Sequence, residues 1–229
     1  IPGGTTIPAR GVTRFRESTL GFGLSMHGGE VYLMNSGQDV MLDAVEYQAH
    51  ENATNAISMG RWPDGEADWY ELTPITENAT NNSARPLVRP IVINEIMFNP
   101  ISEDDNDEYV EIFNKASTNI NIGYWRFTDG IAFMFPAGTV IGSSNYFVVA
   151  KNASQIIGKY TNISASRVFG NYDGTLSDRG ELVVLSKPDD PALPYEDFVT
   201  VDAVSYRDWW GKWTEGGGSS LELKDPRSD

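Results

Sequence analysis

Short runs of alternating apolar and polar residues recur along the whole chain. The run Tyr109 to Phe113 alternates in this way, and Ile91, Ile93 and Ile96 lie among β-branched and aromatic neighbours. Alternation of period two between turn residues such as Asn-Pro and Asp-Gly is typical of short strands. Sustained helical periodicity with capping residues is missing from the sequence, although 153–160 could form one helical turn. The pattern favours an all-β, antiparallel β-sandwich over a parallel α/β sheet.

Turn residues indicate where each predicted strand begins and ends. In the first part of the chain we expect them near 12–16, 30–35, 40–47 and 68–72. In the second part we expect them near 91–98, 108–113, 119–128, 131–135, 145–150, 181–186, 198–206 and 219–224.

Three segments of the first part recur, in the same order, in the second part. Pro2–Ile7 returns as Pro136–Ile141, Leu24-Ser25 with Gly29-Glu30-Val31 returns as Leu176-Ser177 with Gly180-Glu181-Leu182, and Asp43–Tyr47 returns as Asp202–Tyr206. An ordered set of matches predicts two tandem copies of one domain. We place a partial copy at 1–73, a linker rich in Pro, Asn and Thr at 74–90 with the boundary near 88, and a near-complete copy at 91–229.

Charge and composition narrow the classes of partner. Thirty-two acidic and seventeen basic residues give a formal charge of −15, and the scattered basic residues argue against nucleic acid as a partner. Membrane insertion is not expected either, because an apolar run of about 20 residues is lacking. The sequence contains no cysteine, which excludes disulfides and thiolate metal sites, and its first residues do not resemble a signal peptide.

The acidic run from Glu103 to Glu108 is the best candidate for a metal site. Its candidate ligands are Glu103, Asp104, Asp105 and Asp107. Ca²⁺ takes six to eight oxygen ligands and is the cation such a turn would hold. The run lacks the glycine and the final glutamate of an EF-hand loop, so a solvated acidic loop is the alternative interpretation. Apart from this calcium hypothesis, we expect no cofactor.

Four aromatic residues cluster near the end of the chain: Tyr206, Trp209, Trp210 and Trp213. Exposed rings could stack on sugars and so form a glycan-binding face. Alternatively, the rings fill or cover the core, which is the commoner fate of large apolar side chains. Trp125 is expected to be buried.

Asn-X-Ser/Thr triplets mark five candidate glycosylation sites in polar stretches. They are Asn52, Asn78, Asn81, Asn152 and Asn162. A glycan would be tolerated in such loops, but unmodified polar loops explain the same residues.

Candidate catalytic residues are few. His27 and His50 lie in the first copy, and the repeat aligns the turn that contains His27 and Ser25 with one in which Arg179 stands, so general-base catalysis is not expected. Glu95, Glu108 and Glu111 could form a carboxylate pair, but such a pair needs a cleft. We expect two of them to face solvent on strands without a cleft, and we therefore predict no catalytic site.

Several segments together resemble the lamin tail domain family. They are Ile93-Asn94-Glu95-Ile96, Glu108–Asn114, Gly123-Tyr124-Trp125, Phe135–Gly138 and Leu176-Ser177. The resemblance implies an immunoglobulin-like β-sandwich and a non-catalytic accessory module of extracellular or surface proteins of bacteria and archaea. Fold-level likeness does not by itself establish a function.

The resemblance and the repeat lead to one functional expectation and one alternative. We expect a non-enzymatic extracellular or cell-surface module, structural or adhesive, of a larger protein, whose partners are other chains or copies of itself. The first copy has no counterpart of the leading strands and should expose an unpaired sheet edge. The alternative is a carbohydrate-binding accessory module of a secreted hydrolase, with glycans as partners.

Overall fold

The structure is a computed structural model that describes residues 1–48, 57–87, 89–211, 213–214 and 216–226. The chain divides into two compact units. The first comprises residues 1–88 with 189–193, and the second comprises 89–188 with 194–229. Within the described segments, no helix is long and apolar enough to cross a membrane.

The first unit contains two small sheets. Its elements are α1 (Glu17–Leu20), β1 (Gly28–Met34), β2 (Met41–Gln48), β3 (Ser58–Arg61), β4 (Trp69–Thr73) and β5 (Arg85–Pro86). Strands β1 and β2 form an antiparallel hairpin, and the second sheet has the order β3-β4-β5. The strand predicted at 12–16 is wrong: a strand needs a hydrogen-bonded partner, and this segment pairs with no described strand and leads instead into α1.

The second unit is an immunoglobulin-like β-sandwich. Its strands are β6 (Ile91–Met97), β7 (Tyr109–Asn114), β8 (Ile120–Asn121), β9 (Arg126–Asp129), β10 (Phe133–Met134), β11 (Val140–Ile141), β12 (Tyr146–Ala150), β13 (Val168–Phe169), β14 (Leu182–Pro188), β15 (Phe198–Ser205) and β16 (Leu221–Glu222). The larger sheet has the order β13-β12-β7-β6-β16 and the smaller one has the order β10-β9-β14-β15, while β8 and β11 form a separate two-stranded sheet. All pairings are antiparallel except the short one between β12 and β13.

Apolar residues from both sheets form one core, as the alternating pattern predicts. Ile93 and Ile112 on the larger sheet and Val183 and Leu185 on the smaller one belong to the same buried cluster. Trp125 is buried in this cluster, which confirms the prediction made for it. The one longer helix, α2 (Ala153–Lys159), begins where Asn152 accepts a hydrogen bond from the Gln155 backbone.

Three local hydrogen-bond motifs occur at positions that the sequence repeat matches. The hydroxyls of Thr5 and Thr139 donate to the carbonyls of Pro2 and Pro136, both at 2.7 Å. The backbone N–H groups of His27 and Arg179 donate to the hydroxyls of Ser25 and Ser177, at 3.1 and 3.3 Å. Those of Ala44 and Ala203 donate to the carboxylates of Asp43 and Asp202, both at 2.9 Å. The same short-range geometry therefore accompanies the matched residues in the two units. That the units are copies of one domain stays a prediction.

Candidate functional site

The acidic run forms a loop that is bonded to helix α2. Asp107 is buried and accepts hydrogen bonds from Ser102 Oγ at 2.5 Å and Gln155 Nε2 at 3.0 Å, and an ion pair from Lys159 Nζ at 2.7 Å. Asp104 accepts hydrogen bonds from Gln155 and from Asn106. Two of the four candidate calcium ligands, Asp104 and Asp107, are thus engaged by donors of the protein itself.

Hydrogen bonding keeps these two carboxyls ionised. The hydrogen bonds that Asp104 accepts from Gln155 and Asn106 lower its pKa. Burial alone would raise the pKa of Asp107, but the bonds from Lys159, Ser102 and Gln155 outweigh burial and lower it. Among the described residues, no three His, Asp or Glu side chains lie close enough to hold one metal ion. Calcium binding by Glu103, Asp104, Asp105 and Asp107 stays a prediction that this geometry does not favour.

Buried polar side chains lie at both ends of β7. Glu108 precedes the strand, and its Oε2 accepts hydrogen bonds from Tyr172 Oη at 2.7 Å and Leu176 N at 3.0 Å. Asn114 ends the strand and is fully buried. The polar side chains of Glu108 and Asn114 therefore fix the two ends of the central strand of the larger sheet. An apolar residue at either position would leave buried hydrogen-bonding partners unsatisfied.

The aromatic cluster of the sequence separates into buried and exposed residues. Tyr206 is fully buried; its ring packs on Phe98 with centroids 4.8 Å apart, and its hydroxyl donates to the Ser177 carbonyl. The prediction that Tyr206 contacts a ligand is therefore wrong, because a core ring presents no face to solvent. Trp209, Trp210 and Trp213 are exposed by 77%, 51% and 62%.

A folded turn holds these tryptophans. Asp208–Trp210 form a 3-10 turn, in which Trp209 N donates to Asp208 Oδ1 at 2.8 Å. Thr214 is buried and its hydroxyl donates to the Gly211 carbonyl at 2.8 Å. The turn is thus closed by Thr214, while the large apolar rings point away from the core.

The predicted glycosylation sites differ in their surroundings. Asn78 and Asn162 are exposed. Asn81 is held by Thr76 and donates its Nδ2 to the Arg61 carbonyl at 2.9 Å, and Asn152 caps α2. Asn52 and the other histidine considered above, His50, lie outside the described residues. Modification of the five sites stays a prediction, and among the four that the structure describes Asn78 and Asn162 offer the best access.

The glutamates on β6 and β7 do not lie as the sequence predicts. Glu95 and Glu111 are partly buried and line a cavity of about 620 Å³ on the side of the larger sheet that faces away from the core. The expectation that they face solvent with no cleft is wrong, because α2 and the segment after it cover this side of the sheet. Sequence alternation shows which side a residue faces but not what covers that side.

The hairpin β1–β2 exposes large apolar side chains on both of its sides. Its large side chains Tyr32, Leu33, Met34, Met41 and Leu42 are each exposed by between 37% and 61%. In the part of the chain that the structure describes, β1 and β2 pair only with each other, so both outer edges of the hairpin are unpaired. Such edges are the usual place for another chain to add a strand.

Comparison with known proteins identifies the second unit's family. A family model described as Lamin Tail Domain matches residues 85–208, which is more than half of the chain. Searches of curated proteins and of solved structures found no match. The matched segment runs from β5 to the 3-10 turn of Trp209 and includes the motif with Glu108 and Asn114. The chain belongs to the Lamin Tail Domain family.

Proposed function

We propose that this chain is a non-enzymatic extracellular module of a larger surface or secreted protein, and that it assembles with copies of itself along the edges of the hairpin β1–β2. The family is one of immunoglobulin-like β domains, which is consistent with a non-enzymatic module. The extracellular setting is supported by the resemblance to bacterial and archaeal surface modules and by the exposure of Asn78 and Asn162.

The observation that carries the self-assembly is the exposed hairpin itself. Contiguous exposed apolar side chains on a soluble protein mark interaction surfaces. Tyr32 and Ala44 are cross-strand partners, as are Met34 and Met41, so all four lie on one side of the hairpin. Two such hairpins could pair edge to edge into one continuous sheet, which would place these side chains beside those of the copy on one side of it.

The hairpin that the repeat matches in the second unit has no such exposure. It consists of β14 and β15, and there Val183, Leu185, Val199 and Val201 are buried. The outer edge of β14 is paired with β9, whereas the corresponding edge of β1 is unpaired among the described strands. This difference supports the proposal that β1 accepts a strand from elsewhere.

The hairpin carries few of the residues that protect sheet edges from association. Lysine, arginine and proline are absent from β1 and β2, and their charged residues are Glu30, Asp43 and Glu46. Edge strands are commonly protected by lysine or proline. The net charge of −15 opposes association between like chains, so we expect salt to strengthen it by screening.

Substitution of Met34 by glutamate is expected to weaken self-association. Met34 lies on the same side of the hairpin as Tyr32, Ala44 and Met41. A carboxylate there would lie next to the apolar side chains of the copy, and desolvating it without a partner is unfavourable. Sedimentation velocity at several protein and salt concentrations measures the effect, with a shift of the monomer–dimer midpoint by about tenfold or more expected. Ile75→Glu is the matched control, because Ile75 is 50% exposed in a loop and its substitution changes the net charge equally. A chain that sediments as a monomer throughout, or equal effects of both variants, would contradict the proposal.

Carbohydrate binding is the second candidate function, and the exposure of the three tryptophans favours it. Aromatic rings stack on the apolar faces of sugars. Trp209 and Trp210 present exposed rings in one 3-10 turn, and the exposed Trp213 follows three residues later. In this alternative the chain is an accessory module of a secreted hydrolase, and the hairpin plays no part in ligand binding.

Trp210→Ala is expected to weaken retention on polysaccharides if this second candidate is correct. Affinity electrophoresis through gels that contain xylan, soluble cellulose or chitosan derivatives measures retention, and loss of one stacking ring should reduce affinity about tenfold. Tyr195→Ala is the matched control, because Tyr195 is an exposed ring elsewhere in the second unit. Equal retention of both variants, or no retention of the wild-type chain, rules out glycan binding by this turn.

A further inference from the structure

The cavity beside Glu95 and Glu111 is built from both polar and apolar groups. Apolar side chains of β12, α2 and the following segment form part of its wall, namely Val148, Ile156 and Ile163. Two tyrosines, Tyr109 and Tyr160, line it as well, with ring centroids 6.3 Å apart and planes nearly perpendicular. Its volume of about 620 Å³ lies within the range of small-ligand sites.

A β-bulge lies directly before Glu95, one of the two carboxylates that line this cavity. The pairing between β6 and β7 shifts at Asn94, so that Asn94 and Glu95 both lie opposite Glu111. Asn94 Nδ2 donates to Glu111 Oε1 at 2.8 Å. Its Oδ1 is buried and accepts no hydrogen bond, and Asn94 as a whole is only 5% exposed. Buried acceptors without a donor are rare and call for an explanation.

Negative charge is concentrated around the same point. Glu95 is the direct cross-strand neighbour of Glu111, and Glu222 on β16 is the neighbour of Glu95 on its other side. Like charges in opposite positions on a sheet are unfavourable. Arg167 is the only cationic side chain among the described residues that line the cavity, and it is exposed. The site therefore has more carboxylates than cations.

Two neutral hydroxyl groups fix the orientation of Glu95. The hydroxyls of Tyr109 and Ser220 both donate to its Oε1, the former at 2.6 Å. These neutral donors hold the carboxylate but do not neutralise it. Burial, together with the charges of Glu95 and Glu222, raises the pKa of Glu111 to about 7, although the bond from Asn94 opposes this rise. At neutral pH a proton on Glu111 relieves the repulsion, and a bound cation would replace that proton.

We propose that this cavity binds an ammonium or guanidinium group carried on an aliphatic stem. The carboxylates of Glu95 and Glu111 would accept hydrogen bonds from the charged head, which carries donors and no acceptors. Of the two tyrosines that line the cavity, Tyr160 already has Lys159 Nζ 5.8 Å from its ring centroid, so the ring electrons of Tyr109 are the ones that would attract the cation. The apolar wall fits the stem. Such a group could belong to a free polyamine or to a lysine or arginine side chain of another protein.

Calorimetric titration of the full chain with small probes tests this proposal and separates the two sources. N-acetyl-lysine amide and spermidine should bind, whereas N-acetyl-norleucine amide, with a similar stem but no charge, should not. Tighter binding of spermidine would identify a free polyamine as the ligand, and tighter binding of the lysine derivative, or of N-acetyl-arginine amide, would identify a protein side chain. Binding of the norleucine derivative as tightly as the lysine derivative, or no binding of any cation, would overturn the proposal.

Isosteric variants locate the site. Glu111→Gln and Glu95→Gln retain an acceptor oxygen for Asn94 and for Tyr109, so the fold should persist while affinity for the cation falls about tenfold or more. Glu196→Gln is the matched control, because Glu196 is exposed on a loop and its substitution changes the net charge equally. Equal weakening by Glu196→Gln would show that general electrostatic attraction, rather than this cavity, accounts for binding.

The pH dependence supplies a second readout. Only the form with ionised Glu111 should bind the cation, and the charged groups around it are Glu95, Glu222 and Arg167. Burial and the bond to Glu95 raise the pKa of Tyr109, so its hydroxyl stays neutral over this range. Affinity should therefore rise about tenfold between pH 6 and pH 8, as the ionised fraction rises from about 0.1 to about 0.9. In Glu111→Gln this rise should disappear. A wild-type affinity that does not change over this range would count against the proposal.

Discussion

The free energy of unfolding of the second unit is expected to fall as the pH rises from about 5 to about 8. The ionisation of Glu108 should account for roughly 3 kcal/mol of this loss, and that of the more accessible Glu111 for less. Burial raises the pKa of each carboxyl from its ordinary value of 4.5 to about 7. The native state thus holds protons in this range that the unfolded chain has already released. The stabilisation is complete below pH 4.5 and is lost as the pH rises through 7.

The environment of Glu108 explains why it contributes more. It is almost fully buried, and burial is the main cause of its raised pKa, with the nearby Asp105 acting in the same direction. The hydrogen bonds from Leu176 and Tyr172 and the charge of Lys151 oppose the rise without cancelling it. Asp104 and Asp107 have lowered pKa values, so their contribution is lost only at lower pH, outside this window.

Urea denaturation at several pH values measures this trend, with Glu108→Gln and Glu111→Gln as the informative variants. A glutamine oxygen can still accept the bonds from Tyr172 and Leu176, or from Asn94, but it cannot ionise. Each variant should therefore reduce the dependence of the free energy of unfolding on pH, and the double variant should nearly remove it. Stability that increases from pH 5 to pH 8 in the wild-type chain would be incompatible with these environments.

Asn114→Ala is expected to lower the free energy of unfolding of the second unit by about 3 kcal/mol. The Asn114 Nδ2 lies within hydrogen-bonding distance of the carbonyls of Thr118, Ile141 and Gly142, at 2.9 to 3.2 Å, and its Oδ1 accepts from Ala116 N at 3.0 Å. Alanine would leave these groups without their partner in a buried place. The loop after β7 and the end of β11 would lose a common anchor.

Thermal unfolding followed by circular dichroism measures the effect, and a decrease in Tm of roughly 10 °C is expected. Asn119→Ala is the matched control. Asn119 is exposed in the same loop, and its Oδ1 accepts one hydrogen bond, from Ser143 N, so this variant should cost less than about 1 kcal/mol. If the two variants unfold at the same temperature, the network around Asn114 does not anchor the sandwich.

The fold was predictable from the sequence because its strongest signals are local. Alternation within Tyr109–Phe113 gives β7 its core side, and Trp125 lies where the pattern indicates a buried ring. The resemblance to the lamin tail domain rests on Glu108 and Asn114 among other residues, and the structure shows why these two polar types stand at the ends of β7. Strand partners depend on distant segments, which explains the error at 12–16.

The site residues were predicted less well because their surroundings are set by tertiary packing. Whether Tyr206 or Trp210 is buried depends on how the turn after β15 closes on Thr214, and composition does not contain that information. The cavity at Glu95 and Glu111 depends on a one-residue bulge at Asn94 and on the cover that α2 provides. Asn94 belongs to the motif Ile93-Asn94-Glu95-Ile96, which is visible in the sequence, but a bulge has no reliable single-sequence signal.

Amide hydrogen exchange in the hairpin β1–β2, measured as a function of protein concentration, tests the proposed assembly most directly. Outward-facing amides of an unpaired edge exchange quickly, and pairing with a second copy protects them. Protection of peptides that cover 28–34 and 41–47 should increase with protein concentration and with salt, and the increase should be absent in Met34→Glu. Protection that is the same at all concentrations, in a chain that also sediments as a monomer, would contradict self-assembly through this hairpin.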